Sequence, residues 1–202
     1  MAKTKPEIGS LEVHPLTPDR WADFERLFGP RGGSGGCWCM YWRVSRSEYG
    51  RDIGDGNRRA MKRIVKAGDV PGLVAYIDGE PAGWCSVAPR EAYPALERSR
   101  LLKRLDDTPV WSIVCFYIAR PHRGRGLAVA LIRAAIDYVR RRGGKMLEAY
   151  PAIARTGRLP AVSAYTGVPS AFLQAGFKEV AQPSEGRKIC RYRIRRPEQR
   201  RR

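Results

Sequence analysis

The ten residues HRGRGLAVAL, His122 to Leu131, have the spacing in this chain with the clearest chemical meaning. Gly124 and Gly126 stand between an apolar strand-like run and a segment of helical periodicity. Glycines at such a junction let backbone N–H groups approach an anion with no Cβ in the way, and the helix N-terminus behind them adds its own unpaired amides. The segment therefore reads as a cradle for phosphates. It has a rival reading, since Arg123 and Arg125 also suit direct contact with a nucleic-acid backbone. No Lys-Ser or Lys-Thr pair follows the glycines and Gly-x-Gly-x-x-Gly is absent, so the turn is neither a P-loop nor a dinucleotide fingerprint. What remains is Arg123-x-x-Gly126-x-Ala128.

The elements around this turn follow from periodicity. VWSIVCFYIA, residues 110–119, is a nearly continuous apolar run between two prolines, which predicts a buried central strand. Leu127, Leu131, Ala135, Ile136 and Val139 fall on one face of a helix over 127–142, closed by Gly143-Gly144. KMLEAY, 145–150, is a further strand, so the turn lies inside a βαβ unit. Upstream, Thr17-Pro18-Asp19 starts a helix that runs to about Phe28, GPRGGSGG is a loop, and Asn57 caps a helix ending at Gly68. LVAYI and AGWCSVA form a hairpin about Asp78-Gly79. Residues 89–107 read as a loop with a helical turn, and CWCMYWR, 37–43, has no assignment.

The hexapeptide 123–128 resembles the Q/R-x-x-G-x-G/A signature of the GNAT superfamily of acyl-CoA-dependent N-acyltransferases. YIARPHRGRGLA is similar to that family's strand end and pyrophosphate loop. AFLQAGFKEVA, 171–181, is similar to its late helix ending in a Gly-Phe pair, and the resemblance spans about residues 70–195. It implies a single α/β domain over 1–196, with a mixed, mostly antiparallel central sheet flanked by helices around a central βαβ cofactor unit, and a basic tail at 197–202. The acyl donor is then acetyl-CoA, with no metal. Main chain at Arg123, Gly124, Arg125, Gly126, Leu127 and Ala128 holds the pyrophosphate. The strand edge at Tyr117, Ile118 and Ala119 pairs with the pantetheine arm, and an amide near Ile118 faces the oxyanion.

Acyl transfer to an amine also needs proton traffic. Relatives often carry a Tyr four residues before the Gly of the Gly-Phe pair, and that position here is Phe172. Tyr165 is the replacement candidate for protonating the thiolate, with a packed loop tyrosine as the alternative. Strand 110–119 holds no carboxylate. Glu148 is the first candidate base and Glu91 the second, or each is a salt-bridge partner. Trp38, Tyr41 and Trp42 either wall the amine site or belong to the core. Cys37-x-Cys39 has no second pair at ligand spacing, so zinc is set aside.

Composition bounds these readings. A chain of 202 residues suits one domain that buries about 70% of its unfolded surface. With 43% hydrophobic and 29% charged residues it is not a disordered chain. No apolar stretch nears the roughly 20 residues of a membrane helix, MAKTKPEIGS lacks a secretory core, and the five scattered cysteines suit a reducing compartment; the expectation is cytoplasmic. The net charge of +18 is nearly all arginine and favours polyanions. Two function classes therefore compete. One is an acetyl-CoA-dependent N-acetyltransferase acting on a primary amine of a small molecule or peptide, with a homodimer possible. The other is a basic nucleic-acid-binding module using RGRG and the arginine-rich tail, and an acyltransferase docked on a ribosome would combine the two.

Overall fold

The computed structural model describes residues 9–154, 159 and 163–195. In chain order its elements are β1 (Leu11–Pro15), α1 (Trp21–Phe28), α2 (Arg46–Arg51), α3 (Asp55–Lys66), β2 (Gly72–Ile77), β3 (Glu80–Pro89), α4 (Pro94–Glu97), β4 (Trp111–Ile118), α5 (Leu127–Arg141), β5 (Met146–Ala149), α6 (Pro169–Gln174), β6 (Lys178–Ser184) and β7 (Arg187–Arg193). One seven-stranded sheet holds them in the order β1-β2-β3-β4-β5-β7-β6. Only β4 and β5 run parallel; every other neighbouring pair is antiparallel. This is the single α/β unit with a mixed, mostly antiparallel sheet that the sequence implied. The tail at 197–202 lies outside the described residues.

Each face of the sheet is covered because side chains alternate along the strands. On one face, Leu127, Leu131, Ala135, Ile136 and Val139 of α5 are all buried against Ile113 and Phe116 of β4, and α6 adds Ala171 and Phe172. On the other, α1 and α3 bring Trp21, Phe24, Leu27, Met61 and Val65 onto Val74, Tyr76 and Trp84. Each large apolar side chain removed from water in this way contributes roughly 1.5–3 kcal/mol. The β2–β3 hairpin turns where expected, with Asp78 at φ 51° and Gly79 at φ 80°, the left-handed pair that matches the twist of two antiparallel strands.

Three elements differ from expectation. β1 precedes the helices as an edge strand, in register with β2 from Leu11 opposite Ile77 to Pro15 opposite Leu73. α2 is nucleated by a reciprocal cap: the Glu48 amide donates to Ser45 Oγ at 3.2 Å, and the Ser45 amide to Glu48 Oε2 at 2.8 Å. α3 starts at Asp55, and Asn57 is a buried residue of its first turn. Its Nδ2 donates to Gly36 O at 3.2 Å and so ties the glycine loop to the helix.

Candidate active site

The site begins where two strands part. β4 and β5 pair only through Trp111–Leu147, Ser112–Glu148 and Ile113–Ala149. On its other side β4 has an extra residue, Val114, because Ser86 of β3 lies opposite Cys115 and Val87 opposite Ile113. Such a bulge bends a strand and increases its twist. After β5 the chain leans the other way, toward β7: the Lys188 amide donates to Pro151 O at 3.1 Å, and the Ile153 amide to Gly186 O at 3.0 Å. Residues Cys115 to Ile118 thus lack a strand partner on the β5 side among the described residues, and a cleft opens along them.

Backbone direction gives this cleft polar character. The Ala119 amide donates to Ala82 O of β3 at 3.0 Å. In an antiparallel ladder successive residues point to opposite edges, so the amides of Ile118 and Phe116 face the cleft. Arg123 folds back on the same edge, its Nε donating to Ile118 O at 2.8 Å. Tyr117 lies instead against Phe28, with ring centroids 5.1 Å apart.

At the end of β4 the chain makes a short 3-10 turn, Arg120–His122, and then the glycine turn. Gly124 has φ 73°. Gly126, the residue before α5, has φ 90° and ψ 0°. No atom lies within 4 Å of where a Cβ would stand at either, so glycine is required there by backbone conformation and not by crowding. The amides of Gly124, Gly126, Leu127 and Ala128 donate to no backbone carbonyl among the described residues. With α5 running away from them, they form a ring of donors at a helix N-terminus, suited to a diphosphate.

A model of the acetyltransferase (GNAT) family matches residues 38–166, more than half of the chain. The chain belongs to that family. Its fold agrees with solved GNAT structures. A GNAT-family acetyltransferase from Streptococcus agalactiae superposes with a TM-score of 0.54 at 16% identity, covering 94% of this chain and 99% of that one. PaiA N-acetyltransferase from Thermoplasma acidophilum, in complex with coenzyme A, gives 0.53 at 12% identity, covering 92% and 99%. YncA from Salmonella typhimurium, solved with its cofactor acetyl-CoA, gives 0.55 at 15% identity, covering 94% and 97%. None of the curated proteins compared with the sequence matches it.

Against the GNAT pattern, the side chains expected to carry protons have different surroundings. Phe172 is fully buried between Phe116 and Phe177, with centroids 5.9 and 5.2 Å away. Tyr165 sits in a 3-10 turn, Ala164–Thr166, that packs on β4. Gly167 lets this turn approach so closely, since a Cβ there would stand 2.7 Å from the Phe172 ring. Burial, reinforced by Tyr41, pushes the Tyr165 phenol well above the usual tyrosine range, so it keeps its proton.

Glu148 does not open on the cleft. It is 1% exposed; its Oε1 accepts from Arg90 Nη1 at 2.9 Å and from the Tyr150 hydroxyl at 2.7 Å, and its Oε2 accepts from Arg191 Nε at 2.7 Å. Glu91 lies on the surface beyond β3 and pairs with Arg104 at 2.7 Å, a hydrogen bond that holds its carboxyl below the usual range. Neither carboxylate is placed as an unengaged base next to β4.

The three aromatics divide. Trp38 is core, stacked on Phe28 at 5.7 Å. Tyr41 and Trp42 face a cavity of about 690 Å³ that Tyr165 also lines. The whole CWCMYWR stretch is a seam. Trp38 and Cys39 adopt left-handed φ values of 43° and 58°, and Cys39 Sγ accepts from Trp84 Nε1 at 3.2 Å. Burial opposes charge on this thiol, but hydrogen bonds from Cys115 and Trp84 with the charge of Arg43 outweigh it and bring its pKa to about 7. Arg43 in turn donates to Pro71 O, Ser86 Oγ and Tyr93 Oη. Phe116, whose amide faces the cleft, and Arg187, which lines the cavity, are functional candidates that sequence reasoning missed. Strand alternation from Ile118 would have found the first; no sequence signal points to the second.

Proposed function

We propose that this protein transfers the acetyl group of acetyl-CoA to a primary amine of a small molecule or peptide. The observation that carries the reading is the cleft between β4 and β5 that ends at the left-handed Gly124–Gly126 turn. The donor's thioester supplies the acetyl group. Amides at Gly124 to Ala128 take the pyrophosphate, assisted by the charge of Arg123 and Arg125, while the edge of Tyr117, Ile118 and Ala119, extended to Phe116, takes the pantetheine arm. The Ile118 amide stabilises the oxyanion. Tyr165, which holds its proton, donates to the departing thiolate. Tyr41 and Trp42 wall the acceptor, while Trp38 packs in the core on Phe24 and Phe28.

In this reading Glu148 positions the strands and Glu91 stays at the surface, so neither of these two carboxylates deprotonates the amine. The binding test is calorimetry with acetyl-CoA: saturable one-to-one binding is expected, and no heat at millimolar donor would overturn the proposal. The RGRG alternative predicts retention of single-stranded nucleic acid with a steep salt dependence and no competition by acetyl-CoA. For the acid, Tyr165→Phe is expected to lower kcat roughly 100-fold, with the acetyl-CoA dissociation constant within about twofold of the parent, measured by steady-state kinetics alongside calorimetry. An unchanged kcat would remove Tyr165 from the chemistry.

A further inference from the structure

We infer that the acceptor amine carries an anionic group, a carboxylate or a phosphate, which the arginine-rich cavity beside the cleft holds. The inference rests on the acetyltransferase reading and names its substrate class. The cavity, about 690 Å³, is of the size that takes a small molecule. It opens next to Tyr165, on the face of the sheet away from α5, between the Tyr41–Arg46 stretch and the segment that follows α4. Arg46, Arg98, Arg100 and Arg187 stand on its walls, and among the described residues no Asp or Glu does.

With 38 Lys and Arg against 20 Asp and Glu, many cations of this chain have no acid to pair with, and what distinguishes these four is that they converge on one cavity. Here the neighbouring acids are already engaged elsewhere. Glu97 holds Arg90 and Arg104, Glu91 holds Arg104, Glu148 holds Arg90 and Arg191, and Asp106 holds Arg191. Among the described residues Arg46, Arg98 and Arg100 have no ion pair. Arg187 is fixed, donating from Nη1 to Tyr150 O at 2.8 Å and to Thr166 Oγ1 at 2.6 Å. That second bond ties it to the turn carrying Tyr165, so an anion on Arg187 lies beside the group assigned to protonate the thiolate. Guanidinium groups match carboxylate and phosphate oxygens with paired donors.

The same charges bear on the missing base. A positive field disfavours the ammonium form of a bound amine and so favours the neutral nucleophile. It also repels polyamines and other acceptors whose charges are all positive. An amine with its own anion escapes that repulsion while still losing its proton.

The test compares amines in pairs that differ by the anion: phenylalanine with phenethylamine, tryptophan with tryptamine, and phosphoethanolamine with ethanolamine. Coenzyme A release is followed with the native protein at low and moderate salt. The anionic member of at least one pair is expected to have the higher kcat/KM by about tenfold or more, and which pair responds separates carboxylate from phosphate. Arg98→Gln and Arg46→Gln should bring that ratio toward one. Equal or better turnover of the members that lack the anion in every pair overturns the inference. So does a ratio that both variants leave intact, or a loss in the variants of acetyl-CoA affinity alone. If no amine turns over, tryptophan fluorescence of the acetyl-CoA complex is titrated with phenylalanine and phosphoethanolamine. Quenching that saturates below about 10 mM and weakens in Arg98→Gln upholds the inference; none up to that level overturns it. Failure of the protein to bind acetyl-CoA at all is a different result, because it removes the acetyltransferase reading itself.

Discussion

Gly126→Val should weaken acetyl-CoA binding by about tenfold to a hundredfold or more, while lowering Tm by only a few degrees. Gly126 is held at φ 90° and ψ 0°, where an L-residue with a Cβ is disfavoured by roughly 1–2 kcal/mol and a β-branched one by more. Nothing lies within 4 Å of the Cβ position, so the valine meets no clash that would unfold its surroundings. The turn is free to relax to a negative φ instead. Relaxation rotates the amides of Gly126 and Leu127 out of the ring of donors. Each hydrogen bond from an amide to a charged phosphate is worth roughly 1.5–3 kcal/mol, and losing one or two gives the stated range. Gly126→Ala should fall between, since alanine tolerates the left-handed region better than valine. Calorimetry with acetyl-CoA and a thermal melt on the same samples separate the two effects. Unchanged affinity in Gly126→Val would mean that the pyrophosphate sits elsewhere.

That this turn was legible in the sequence has a physical reason. Its conformation can be adopted cheaply only by glycine, and the elements on both sides announce themselves by periodicity. The same holds for Asp78-Gly79, whose left-handed pair closes the hairpin as expected. α5 was legible because its buried stripe recurs at helical spacing over four turns. The features that were not legible depend on partners distant in the chain. The exception is Ser45-x-x-Glu48, a capping signal carried by two local residues. By contrast, Trp38 and Cys39 stand at positive φ without being glycine, and the Cys39 thiol meets Trp84, 45 residues away, which no reading of the stretch alone reveals. Glu148 was rightly put on a strand next to β4. Its surroundings come from Arg90, 58 residues away, and Arg191, 43 residues away, which no reading of one segment reveals. Tyr165 and Tyr41 meet at 6.3 Å across the cavity for the same reason, through packing of two loops that share no pattern.

The Glu148 cluster supplies the largest expected change in stability. Arg90 is 1% exposed, as is Glu148, and the Arg90 guanidinium reaches Glu97, Glu148, Tyr150 and the Leu102 carbonyl at once. Ser112 Oγ joins through the Tyr150 hydroxyl at 2.9 Å. Removing the carboxylate in Glu148→Ala takes one of two counter-charges from the buried Arg90, which keeps Glu97, and leaves the Tyr150 hydroxyl without its carboxylate acceptor; breaking a buried pair costs about 3–5 kcal/mol. For a chain of this size the expected fall in Tm is roughly 6–20 °C. Replacing both partners with apolar side chains, as in Arg90→Met with Glu148→Leu, should cost less than Glu148→Ala alone, because the fully buried cation goes with the anion and Arg191 keeps Asp106. Glu148 lies opposite Ser112, one rung before Ile113–Ala149, the last pair before β4 and β5 separate. The cluster therefore clamps the strands at the hinge of the cleft, so Glu148→Ala should weaken acetyl-CoA binding as well, and the double variant should recover binding along with stability. A catalytic base gives the reverse pattern. In that case Glu148→Gln would keep the melting temperature and lose more than about a hundredfold in kcat, and the double variant would remain inactive however well it folded.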